Sequence, residues 1–209
     1  NLESLAFPRF EPFYNVDPSK EPYHLLTSRG CPHLCVFCCV HAISGRKWRF
    51  RSPENIVAEL EQAVMRYGIK EFEVDDDNFT LNMDRAKEFC RQLGRMKLGL
   101  GWFCPNGIRA DRLDSELALL MADTGCHSVA LGIESGNQDV LKMIKKGERL
   151  EDIAKAVGYL KKAGIHTMGY FIIGLPGSTF ETEIETMRYE KQIGLDDSIY
   201  NLFLPYPKT

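Results

Sequence analysis

The sequence predicts an α/β fold, a partial (β/α)6 TIM-like barrel of six parallel strands. From residue 23 onward, six short runs rich in β-branched and aromatic residues alternate with helical patterns. Such alternation builds a parallel sheet, and right-handed crossovers curl it towards a barrel. The chain has 209 residues, short of the roughly 250 of a closed eight-fold barrel. An open doubly wound sheet satisfies the same alternation.

Residues 1–22 carry Pro8, Pro12, Pro18 and Pro22 without sustained periodicity, which predicts an extended connector. Strands are expected at Tyr23–Thr27, Glu71–Val74, Leu100–Cys104, Ser128–Ile133, Thr167–Ile173 and Ile199–Leu204. Ser52 as N-cap and Pro53 at the first helical position open a helix. Its face is Ile56, Val57, Leu60 and Val64, and Gly68 ends it. Ala86, Phe89, Cys90 and Leu93 repeat the spacing. Leu117, Leu120 and Met121 do so behind Asp114 and before Gly125, and Ile153, Val157 and Leu160 before Gly164. Ser178 and Glu181 suit a capping box ahead of Ile184 and Met187.

Hydrophobic residues make up 44% and charged residues 26%, the balance of a globular protein. The longest apolar stretch, Tyr170–Leu175, is far too short to span a bilayer. A net charge of −3 argues against a broad nucleic-acid footprint. One local basic run, Arg46, Lys47, Arg49 and Arg51, is either a solvated loop face or an anion-binding rim. Seven cysteines, three of them within eight residues, suit a metal better than disulfides and point to a reducing cytoplasm.

Those three are Cys31, Cys35 and Cys38, in a loop directly after the first strand. In a βα barrel the loops at the C-terminal strand ends carry the chemistry. Three thiolates can hold three corners of a 4Fe-4S cubane and leave one iron open to an outside ligand. A zinc site would recruit Cys39, His33 or His41 as fourth ligand, but zinc sites usually come as two separated pairs and a second CxxC is lacking. Cys39, Cys90, Cys104 and Cys126 suit small buried hydrophobes.

Polar groups recur at the later strand ends. Asp75, Asp76 and Asp77 follow the second strand, and three adjacent carboxylates call for a cation; a solvated turn with Asn78 as a cap is the plainer alternative. Arg109, after the third, suits a carboxylate fork or an ion pair with Asp111 or Asp114. Glu134 ends the fourth, where a carboxylate can accept from ribose hydroxyls, while Ser135 or Asn137 suits the next helix N-cap. Gly174 and Leu175 follow the fifth, where glycine lets backbone approach a ligand or simply makes a tight turn.

Cys31-x3-Cys35-x-Phe37-Cys38 resembles the signature of the radical S-adenosylmethionine superfamily, and the resemblance extends over residues 23–209. It implies a six-stranded partial barrel, a 4Fe-4S cluster on the three cysteines and S-adenosylmethionine beside it. It further implies Phe37 near the adenine, Asp76 or Asp77 on the methionine amino group, and cofactor contacts from Arg109, Glu134, Ser135, Gly174 and Leu175. Gly-Leu-Pro-Gly at 174–177 and Pro-Tyr-Pro at 205–207 resemble the fifth- and sixth-strand motifs. The departure from Gly-Gly-Glu, namely Asp76-Asp77-Asn78-Phe79, resembles the subgroup with cobalamin-binding domains, as does the connector around Leu2–Arg9. A cobalamin domain is therefore expected to precede the chain, with residues 1–22 as connector and 23–209 as core. The implied activity is cobalamin-dependent C-methylation, or a related radical rearrangement, of a small-molecule substrate. An electron donor such as a flavodoxin or ferredoxin is implied. Arg51-Ser52-Pro53 resembles the methylthiotransferases that modify transfer RNA, and a non-catalytic zinc or iron-sulfur module is the alternative of another class.

Overall fold

The computed structural model describes residues 2–206. Its strands are β1 Tyr23–Leu25, β2 Ser28–Arg29, β3 Arg49–Phe50, β4 Glu71–Val74, β5 Gly101–Ile108, β6 Cys126–Glu134, β7 His166–Ile173 and β8 Asp197–Leu202. Its helices are α1 Val40–Ile43, α2 Pro53–Tyr67, α3 Met83–Met96, α4 Ser115–Asp123, α5 Gln138–Met143, α6 Leu150–Lys162 and α7 Phe180–Ile193.

Six strands pair in parallel in the order β1-β4-β5-β6-β7-β8, and β1 and β8 stay unjoined. This is a partial barrel, as expected. Alternate residues of each strand lie on one face, because side chains flip every residue. Phe72, Trp102, Val129 and Phe171 are fully buried in one core with Leu60, Phe89, Leu117 and Leu160 of the helices. Phe72 stacks on Trp102 at 5.5 Å, and Phe89 meets both edge-on. The alternate positions, left without helix cover, form the face that carries the site.

Helix punctuation follows the sequence at most positions. The Ser52 side chain accepts from Asn55 N–H, Asp114 accepts from Leu117 N–H, and Gly68 closes α2 in the left-handed region. The start of α7 is a correction: Thr179, not Ser178, is its N-cap, in a reciprocal box with Thr182 rather than Glu181. Both pairs have the right chemistry one residue apart, and helix phase chooses between them. Asn78 caps nothing; α3 starts on Asn82.

The small antiparallel pair β2–β3 was not expected, because two-residue strands leave no periodicity to read. It folds the cysteine loop back on itself. Gly30, between β2 and Cys31, has φ +89°, and a Cβ there would lie 2.5 Å from the Lys47 carbonyl. Only glycine fits that close approach.

The connector is irregular apart from one 3-10 turn, Leu2–Ser4, and it is docked. Phe10 packs edge-on against Tyr23 and Tyr67, and a Glu3 carboxylate oxygen accepts from Ser52 N–H at 2.8 Å. Among the described residues, no helix is long and apolar enough to cross a membrane.

Candidate active site

A cavity of about 830 Å³ opens at the C-terminal ends of the strands. Cys31, His33, Cys35, Phe37 and Cys38 of the loop line it, together with Asp77, Asn78, Arg109, Glu134, Lys146, Tyr170, Ile172 and Tyr200. A parallel barrel brings all its strand ends to one rim, so residues far apart in sequence meet there.

The cysteine loop is held on three sides. Cys31 N–H donates to the Gly45 carbonyl, Val36 N–H to the Ile144 carbonyl and Gly30 N–H to Asp77 Oδ2, at 3.2, 3.0 and 2.7 Å. Asn78 Nδ2 lies 3.7 Å from the Cys31 sulfur. Asn78 Oδ1 is buried without a hydrogen-bond partner, an arrangement that costs roughly 1–3 kcal/mol unless a donor arrives. Burial pushes the Cys35 and Cys38 thiols up; Lys146 and Arg109 pull Cys35 part of the way back, and the Val40 backbone does so for Cys38.

Sulfur spacing distinguishes the metals that the triplet could hold. Donors on one tetrahedral zinc, with bonds of about 2.3 Å, sit about 3.8 Å from each other. Among the described residues, the one trio of donor atoms lying within 4.8 Å is His24, Glu73 and Asp75, not the cysteines. Three thiols on one loop, facing a cavity and set wider than one ion requires, fit a cubane that gives each thiolate its own iron. The orphaned Asn78 oxygen beside them fits a ligand that brings a donor.

Carboxylates and cations sort themselves behind this loop. Asp76 is buried, and both its oxygens are taken: Thr27 N–H, Ser28 N–H and Ser28 Oγ donate at 2.6, 2.9 and 2.6 Å, and Thr27 Oγ1 donates as well. Arg85 lies behind it, donating to the carbonyls of Arg51 and Thr27. Asp76 therefore ties β4 to the strand that leads into the cysteine loop and has no acceptor left for an amino group. Asp77 gives one oxygen to Gly30.

Arg109 is buried, and its fork closes on Asp111: Nε and Nη2 donate at 2.9 and 3.1 Å, while Nη1 donates to the Lys146 carbonyl at 2.8 Å. The expected fork for a cofactor carboxylate is thus occupied by the protein. Glu134 sits at the cavity in the left-handed region, φ +70°, which a glutamate adopts at a cost. Its Oε1 accepts from Lys146 Nζ at 2.9 Å, and Glu148 Oε2 lies 3.3 Å from the same nitrogen. Burial opposes the charge on Lys146, but the two carboxylates outweigh it and raise its pKa.

Three expected site residues are turned away. The Ser135 hydroxyl pairs with Thr186 and accepts from Asn137 N–H, which helps seat the Asn137 N-cap of α5. Gly174 donates its N–H to Glu183, and a Cβ there would meet nothing within 4 Å, so its φ of +80° rather than a close approach demands glycine. Leu175 is buried in the core. Tyr170 and Ile172 are the β7 residues at the cavity. Lys146, Glu148, Asn78 and Tyr170 are the groups that sequence reasoning missed. The sixth-strand segment reaches the cavity through Leu204 and Tyr206, while Pro207, Lys208 and Thr209 lie outside the described residues.

Residues 25–189 match the radical SAM superfamily. The chain is 34% identical to an uncharacterized methyltransferase, PH0819, of Pyrococcus horikoshii, across 100% of this chain and 46% of that protein. It is 35% identical to the cytidylyl-2-hydroxyethylphosphonate methyltransferase of Streptomyces wedmorensis, across 95% of this chain and 40% of the relative. The chain thus spans less than half the length of these two relatives. Among solved structures, the radical S-adenosylmethionine methyltransferase TsrM of Kitasatospora setae, with cobalamin and a [4Fe-4S] cluster bound, superposes with a TM-score of 0.81. The identity is 25%, and the match covers 90% of this chain and 35% of TsrM.

Proposed function

The chain belongs to the radical SAM superfamily, and on that premise we propose that it is the radical-generating core of a cobalamin-dependent methyltransferase. Cys31, Cys35 and Cys38 hold a 4Fe-4S cluster in this reading. Bound there, the cluster supplies an open iron and one electron, the chemistry that splits S-adenosylmethionine into methionine and a 5′-deoxyadenosyl radical. The protein's part is orientation and exclusion of water.

Asp77 and the orphaned Asn78 Oδ1 take the methionine amino group, because Asp76 has no acceptor left. Glu134, held by Lys146, receives the ribose hydroxyls, and Phe37 lies against the adenine. Arg109 acts at one remove, by fixing the Lys146 backbone. The observation that carries the proposal is the meeting of three loop thiols with an unpartnered buried acceptor at one cavity wall.

Methyl transfer from cobalamin is proposed because the TsrM structure contains it and the relatives carry methyltransferase names. The substrate is a small molecule, and the reaction takes place in a reducing cytoplasm with a one-electron donor such as a flavodoxin or ferredoxin. The test is anaerobic incubation of the reconstituted chain with S-adenosylmethionine and reductant. Formation of 5′-deoxyadenosine and methionine, lost in Asn78→Ala and Asp77→Ala, supports the proposal. An intact cofactor after prolonged reduction refutes it.

A further inference from the structure

The acidic residues of β4 divide between the two faces of the sheet. Phe72 and Val74 are buried under the helices, so Glu71, Glu73 and Asp75 share the uncovered face. His24 of β1 stands beside Glu73 in the β1–β4 register. Its Nδ1 lies 2.7 Å from Glu73 Oε1 and 2.9 Å from Asp75 Oδ2. None of the three lines the active-site cavity.

An imidazole nitrogen carries one hydrogen at most. Here only the contact with Asp75 has hydrogen-bond geometry. Among the described residues, Glu73 accepts no hydrogen bond, although its side chain is only 16% exposed, and no lysine or arginine pairs with it or with Asp75. Glu71, two residues earlier, is engaged by His127. Burial and the Asp75 charge push the Glu73 carboxyl up, and His24 pulls it only part of the way back. Even a charged imidazole would leave one of the two carboxylates uncompensated. The spacing also suits a metal. Neighbouring corners of an octahedron with bonds of about 2.1 Å lie about 3.0 Å apart, against about 3.4 Å for a tetrahedron, and both Nδ1–oxygen distances are close to the first value.

We propose that His24, Glu73 and Asp75 bind one first-row divalent cation, separate from the cysteine thiols, which pins β1 to β4. One imidazole and two carboxylates are a donor set for such an ion, and the exposed side, where His24 is 71% open, leaves room for water on the remaining corners. β1 is an edge strand of three residues, and it leads through Thr27 and Ser28 to the cysteine loop. A cation shared between its middle residue and two residues of β4 crosslinks the strand that has the fewest ladder bonds to hold it. The site does not depend on the cluster reading above.

The test uses the whole chain, stripped of metal under anaerobic conditions, with Mn²⁺ as the probe. Carboxylates take this hard ion and thiols do not favour it, which keeps the cysteines out of the measurement. The EPR signal of free Mn²⁺ counts the bound ions, and thermal unfolding reads their coupling to the fold. One ion per chain is expected, with a higher unfolding temperature at saturation. His24→Ala and Glu73→Gln should each weaken binding by about tenfold or more and abolish that rise, because loss of a ligand's outer partner alone costs a site that much. His127→Ala, at the neighbouring pair, should change neither. Glu73→Gln keeps the shape of the side chain, so it decides the matter should His24→Ala fail to fold. Absence of binding at millimolar Mn²⁺, or binding that survives the substitutions at His24 and Glu73, would overturn the proposal.

Discussion

Lys146 Nζ lies 2.9 Å from Glu134 Oε1, and both side chains are buried at the rim of the cavity. The two residues come from β6 and from the turn after α5. Only the fold puts a cation beside the carboxylate that lines the cavity. Glu148, 3.3 Å from the same nitrogen, accepts from Ala110 N–H at 2.6 Å, so this one ion group connects the ends of β5 and β6 with the turn after α5.

Lys146→Met removes the cation from between two buried carboxylates. Breaking a buried pair from one side costs about 3–5 kcal/mol. Urea unfolding should show a loss of that order, and Glu134→Gln introduced into Lys146→Met should restore part of it. A loss below about 1 kcal/mol would mean that solvent reaches the group.

Asp76→Ala strips an acceptor from four donors at once. Each buried donor left unpaired costs about 1–3 kcal/mol. The variant should be destabilised by several kcal/mol, whereas Thr27→Val, which removes a single hydroxyl, should lose about 1 kcal/mol. Iron content after reconstitution should fall in Asp76→Ala, because Thr27 and Ser28 lead into the cysteine loop.

The thiols divide by burial. Cys90 is fully buried and pushed up to about 12, and Cys126 is raised as well, so neither is a metal ligand in waiting. Cys90→Ala and Cys126→Ala should keep full iron and sulfide content, with a small loss of stability from the cavities left behind. Cys31→Ala, Cys35→Ala and Cys38→Ala should each lose the cluster absorbance, and retention of it in any of the three would break the ligand assignment.

Acid sensitivity should map to the start of β8. The N–H and hydroxyl of Thr167 donate to Asp196 Oδ2 at 2.9 and 2.7 Å, and those bonds hold the Asp196 carboxyl below its ordinary value. A carboxylate with a lowered folded pKa stabilises the fold above its unfolded pKa and loses that contribution as pH falls through the folded one. Asp196→Asn should therefore be less stable than the parent near neutrality and show a shallower decline below about pH 4. Parallel acid unfolding curves would contradict this.

Much of the molecule was legible in its sequence because strand and helix periods are local. All six barrel strands were found, as were the cysteine triplet and the caps at Ser52 and Asp114. Three kinds of feature were not legible. The β2–β3 pair is too short to have a period. Lys146 and Glu148 sit in a turn whose Lys-Gly-Glu letters read as an exposed loop until the barrel closes over them. Side-chain direction at a strand end was the third: Ser135, Gly174 and Leu175 lie in segments with the right order, yet face α7 or the core. Arg109 takes the Asp111 pairing, one of its two sequence readings, whereas the four donors around Asp76 were not legible, because composition does not reveal which donors the backbone will present.

The central claim is one open iron beside three loop thiolates. Mössbauer and EPR spectra of the anaerobically reconstituted chain, recorded with and without S-adenosylmethionine, test it most directly. The account predicts a four-iron cluster in which one iron changes its spectrum when the cofactor is added. Zinc in place of iron, or a cluster whose spectrum ignores the cofactor, would contradict it.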